Sequence, residues 1–72
     1  MTDTRKLKAV MALKGITGYD LAKSIGISRA SFSYKINNLR EFRAKEIQAI
    51  SEALKLSLED KEEIFFADMV DE

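Results

Sequence analysis

The stretch Thr17 to Asn38, TGYDLAKSIGISRASFSYKINN, holds two short helical segments separated by four residues, Ile25-Gly26-Ile27-Ser28. Thr17 is placed to cap the first, because a short side-chain oxygen can accept from the free N–H groups of a first turn. Asp20 adds a negative charge where the helix dipole favours one. Leu21, Ala22 and Ile25 then point inward, and Gly26 stops the helix. The second segment starts after Ser28, another good cap, and carries Phe32 and Ile36 one turn apart, both expected to be buried. Asn37 and Asn38 end it, since asparagine follows glycine in tolerance for the left-handed conformation. Small Ala22 allows close approach, Gly26 allows a sharp turn, and Ile27 plugs the angle from within. This is the physical recipe of a helix-turn-helix, a motif whose second helix can enter the major groove of DNA.

Outward from this stretch, apolar residues recur at three and four positions, and alternating strand patterns are absent. A helix is expected over residues 4–14, capped by Asp3 or Thr4. Leu7, Val10, Met11 and Lys14 share its face, with Leu13 beside it, and Gly15 ends it. Another is expected over residues 44–54, with Ile47, Ile50 and Leu54 inward. Between them, the loop 39–42 carries Leu39 and Phe42, both expected to tuck beneath the domain. Ser57 caps a last helix reaching about Ala67, with Asp60 in the N3 position of a near capping box. The expected fold is all-α: a compact five-helix bundle forming one domain over residues 1–72, with residues 57–72 as its last helix and tail.

Composition narrows the function. The chain has 72 residues and neither cysteine nor histidine. That excludes a disulfide framework, the commonest zinc ligands and Ser-His or Cys-His catalysis. The serines have no base, and no carboxylate pair sits in an evident cleft, so an enzyme is not expected. No cofactor, metal or small-molecule ligand is implied. No apolar run approaches the roughly 20 residues of a membrane span. MTDTRKLK lacks the apolar stretch of a secretory signal. A cytoplasmic location follows as the expectation.

The net charge of zero hides an asymmetry. Up to Lys45 there are ten cations and three anions, giving +7; beyond it there are two cations and nine anions, giving −7. A basic segment of this kind suits a polyanion partner. The plainer reading is two solvated faces that differ in sign.

Leu21-Ala22-x-x-x-Gly26-x-Ser28, followed by a polar helix, resembles the Cro/cI-type helix-turn-helix domains of bacterial and phage repressors. The resemblance covers the chain from its first helix to about Phe66. Lys61 to Ala67, KEEIFFA, also resembles small phage-type repressors of Gram-positive hosts. It implies a lambda-repressor-like five-helix bundle that binds double-stranded operator DNA through its third helix. Base contacts then fall to Arg29, Ala30 and Ser33, with Ser31, Tyr34 and Lys35 touching bases or backbone. Arg29 leads, because arginine can pair bidentately with guanine O6 and N7; otherwise it is a solvated residue at a helix start. Tyr34 has core packing as its alternative.

Phosphate contacts would come from Thr17, Gly18, Tyr19, Ser28, Asn38, Arg40, Arg43 and Lys45. Gly18 departs from the family, which often places a glutamine there as a side-chain clamp. Lys35 departs too, standing where the family usually has an apolar residue, with Ile36 following. Ile64, Phe65 and Phe66 are consecutive and cannot share one helix face. Some of them close the core. Phe65 and Phe66, with Met69 and Val70, can form a self-complementary patch for a homodimer, which would set two reading helices about 34 Å apart. The alternative function is a protein-interaction module, such as an antirepressor or adaptor, built on the same fold.

Overall fold

The order of elements follows from where the backbone can be capped and where it can turn left-handed. A computed structural model of the protein describes residues 1–66. Its helices are α1 (Thr4–Lys14), α2 (Gly18–Ile25), α3 (Arg29–Ile36), α4 (Ala44–Leu54) and α5 (Leu58–Phe65). All regular structure among the described residues is helical. Asp3, Thr17, Ser28 and Ser57 each accept a backbone N–H from three residues on, at 3.0–3.1 Å. At Thr17 the bond is returned, its own N–H donating to Asp20 Oδ2 at 3.3 Å, so this pair forms the full capping box. Asp3 is therefore the first cap, and Thr4, one position inside, donates its hydroxyl to the Ile36 carbonyl instead.

Four helices end the same way. After Gly15, Gly26, Asn38 and Lys55, all with positive φ, the next amide reaches back five residues: Ile16 to Met11, Ile27 to Ala22, Leu39 to Tyr34 and Leu56 to Ser51. This is the Schellman closure, which satisfies carbonyls left free at a helix end. Of the two asparagines, Asn38 takes the left-handed position at φ 63°, while Asn37 stays at φ −93°.

α2 packs against both α3 and α4, and α1 against α4 and α5. The core comprises Leu7, Met11, Leu21, Ala22, Phe32, Ile36, Phe42, Ile47, Ile50, Leu54, Ile64 and Phe65. Ile16, Ile25 and Ile27 pack against its edge. Phe42 stacks between Phe32 and Phe65, with ring centroids 5.9 and 5.8 Å away. It thus anchors the loop after α3, as expected of an apolar residue there. Leu39 does not follow it: the turn that closes α3 leaves its side chain 71% exposed. Leu13 is likewise 85% exposed, since burying Leu7 and Met11 rotates it toward solvent.

The chain start is stitched to two distant helices. Thr2 donates its N–H to Asn38 Oδ1 at 2.7 Å, and Asn38 Nδ2 donates to the Thr2 carbonyl at 3.0 Å. Asp3 N–H donates to the Ile64 carbonyl at 2.7 Å. Within α1, Lys6 Nζ lies 2.6 Å from Glu63 and 3.4 Å from Asp60, both on α5. The hydrogen bond to Glu63 leads the causes that raise the Lys6 pKa above its ordinary value.

Candidate nucleic-acid interface

α3 divides into two stripes. Phe32, Lys35 and Ile36 face inward. Arg29, Ala30, Ser33 and Asn37 are exposed, and their spacing of three and four places them on the outer face. Ser28 caps the start of the helix, and at its end Asn37 Nδ2 donates to the Ser33 carbonyl at 2.9 Å.

Beside the outer stripe lies a groove of about 490 Å³. Its floor is Met11, Phe32 and Ile36. Its rim is Thr17, Gly18 and Tyr19 from the start of α2, Arg29, Ser33 and Asn37 from α3, and Lys8 from α1. The groove therefore brings together five of the residues singled out from sequence: Thr17, Gly18, Tyr19, Arg29 and Ser33. A Cβ at Gly18 would stand 3.4 Å from the Phe32 ring, so a side chain at this position would begin to close the opening. Thr17 Oγ1 is occupied with Asp20, donating to Oδ2 at 2.9 Å.

Arginine-on-tyrosine pairs stand at both ends of α3. The Arg29 guanidinium carbon lies 5.7 Å from the Tyr19 ring centroid, and that of Arg40 lies 5.6 Å from the Tyr34 ring centroid. Both distances fall within the range of cation–π attraction. Tyr34 is 46% exposed, so it belongs to the surface, backing Arg40. Ser28, Ala30, Arg43 and Lys45 are exposed but lie off the groove, and Ser31 is half-buried.

Three assignments change. Lys35 leaves the outer face: it is only 9% exposed, and its Nζ donates to both carboxylate oxygens of Glu46 at 2.7 Å. The apolar position usual in the family is filled by an aliphatic stem whose charge is paired inside. Burial alone would raise the Glu46 pKa. The hydrogen bonds from Lys35 and from the Arg43 N–H outweigh that and leave it lowered. Asn38 spends its side chain on Thr2 and Thr4 rather than facing outward. Phe65, placed in the dimer patch, is 5% exposed and belongs to the core. Phe66 is half-buried against that core, and Met69 and Val70 lie outside the described residues.

Lys8 and Asn37 join the groove although the motif does not point to them. Asn37 follows Ser33 by four residues and Arg29 by eight, a helical spacing that was legible. Lys8 had no local signal, because only the packing of α1 brings it to the groove.

Among the described residues no group of acidic side chains could hold a metal ion, and no helix is long and apolar enough to cross a membrane. Comparison with known families gives one finding: residues 6–63 match the Cro/C1-type HTH DNA-binding domain. Neither the curated proteins nor the solved structures yield a match.

Proposed function

Because this chain belongs to the Cro/C1-type helix-turn-helix family of DNA-binding domains, we propose that it is a sequence-specific transcriptional regulator. It acts without catalysis, in the cytoplasm, as a phage or mobile-element repressor that occupies an operator and excludes polymerase. α3 enters the major groove. Arg29 reads guanine, Ala30 and Ser33 touch neighbouring bases, and Ser31 and Tyr34 meet bases or backbone. Ser28, Thr17 and Gly18 at the start of α2, Arg40, Arg43 and Lys45 meet phosphates. The chain works as a single domain and pairs as a homodimer on DNA, with Phe66, Met69 and Val70 as the self-association patch.

One observation supports the reading above all. The outer stripe of α3 is exposed and, among the described residues, carries no ion pair, yet it is headed by an arginine. A cation at a helix start opposes the dipole, so its presence there calls for a reason outside the fold.

The experiment is selection from a random duplex pool at moderate salt, with the bound fraction sequenced. An enriched, roughly palindromic motif supports specific binding by a dimer. Retention only at low salt, with no motif, overturns the reading and leaves a protein partner to be sought by pull-down. The salt dependence of a true complex should follow a log-log slope of about −0.9 per phosphate neutralised.

A further inference from the structure

We propose that Tyr19 is the residue that positions Arg29 for base reading, so that the specificity of α3 depends on a side chain of α2. The inference rests on the DNA-binding reading above. Tyr19 occupies the second position of α2 and Arg29 the first of α3, so their contact bridges the two opening turns of the motif. Among the described residues no carboxylate pairs with Arg29; the Tyr19 ring, at 5.7 Å, is its partner.

The chemistry of that partner matters. A carboxylate would engage the N–H edge of the guanidinium, the same edge that guanine needs. An aromatic ring attracts the guanidinium through the π face of the ring and holds none of its five N–H donors in a carboxylate hydrogen bond. Bidentate pairing with guanine O6 and N7 uses that edge. An arginine carries substantial rotamer freedom that binding must remove. Contact with the ring removes part of it beforehand, which is preorganisation. Tyr19 is still 53% exposed, so the pair stands at the surface rather than in the core.

A rival role for Tyr19 is a phosphate contact through its hydroxyl. Two substitutions separate the roles. Tyr19→Phe keeps the ring and removes the hydroxyl; Tyr19→Leu removes both. Affinities for the selected operator and for unrelated duplex DNA are measured in each, with and without Arg29→Ala. Tyr19→Leu is expected to weaken operator binding about two- to fivefold. Unrelated DNA and the salt slope should be unaffected. Tyr19→Phe should restore binding, and Tyr19→Leu should have no effect once Arg29 is alanine. An equal loss in the phenylalanine variant overturns the proposal in favour of a hydroxyl contact. A loss that persists beside Arg29→Ala overturns it too, since Tyr19 then acts by itself.

A DNA-free measurement accompanies these. The Arg29 δ-methylene protons should be shifted upfield by the ring current in the unaltered and Tyr19→Phe proteins, and return to ordinary values in Tyr19→Leu. If no operator emerges while the shift is present, the DNA reading and the positioning role both fall, and the pair is structural. If an operator emerges without the shift, the positioning role alone falls.

Discussion

Lys35 Nζ sits 2.7 Å from each carboxylate oxygen of Glu46, and Glu46 Oε1 also accepts the Arg43 N–H at 2.8 Å. One carboxylate thus ties α3 to α4 and caps α4, whose N-cap residue, Arg43, offers no capping oxygen. With Lys35 and Glu46 both only 9% exposed, removing either partner leaves a charge poorly solvated. Glu46→Gln should destabilise the fold by about 2–3 kcal/mol at neutral pH, measured by urea unfolding.

The pair also sets an acid limit. Because the Glu46 pKa is lowered by folding, its contribution is complete above the unfolded value of about 4.3. It disappears as pH falls through the folded value. Stability curves of the unaltered protein and Glu46→Gln should therefore lie apart at pH 7 and draw together as pH falls below about 4. Parallel curves down to pH 2 would remove Glu46 from the linkage.

Arg29→Ala should leave thermal unfolding almost unchanged, as the side chain is exposed and pairs with a Tyr19 ring that is itself at the surface. Operator binding should fall by about 1–3 kcal/mol. An unaltered affinity would take Arg29 out of the readout.

Arg40, Arg43 and Lys45 should behave differently from Arg29. Replacing any one by glutamine should weaken operator and unrelated DNA alike and reduce the salt slope by about one. Titrations at four or five salt concentrations measure it. A selective loss on operator alone would make that residue a base reader.

Two left-handed residues should respond oppositely to glycine. Lys55 holds φ 52° with an exposed side chain, so Lys55→Gly relieves strain and should stabilise by about 0.5 kcal/mol. Asn38 holds φ 63°, but its amide binds Thr2 and Thr4. Asn38→Gly loses those bonds and should destabilise by about 1–2 kcal/mol. Paired denaturation curves decide both.

The helix limits were legible because their signals are local. Thr17, Ser28 and Ser57 cap where a short polar side chain precedes an apolar period, and Gly15 and Gly26 stop where glycine is favoured. Lys55 gave no such signal, since lysine in a left-handed turn is unusual. The inner face of α3 was half legible. Phe32 and Ile36 mark it, but Lys35 reads as a surface cation until α4 brings Glu46 against it, eleven residues away in sequence. The same holds for Phe42 and Leu39. Both look buriable, and only the position of Phe42 between two distant rings distinguishes them. The groove rim was visible where it falls within the motif and invisible at Lys8, which tertiary packing delivers.

The strongest restraints on α3 enter through its inner stripe and its ends: Phe32 and Ile36 in the core, Lys35 on Glu46, Ser28 and Asn37 as caps. Ala30 and Ser33 carry no such duty. The molecule separates its address from its architecture. On the DNA-binding reading proposed above, a few outward codons can change which site is occupied, while the scaffold that keeps the protein folded is inherited unchanged.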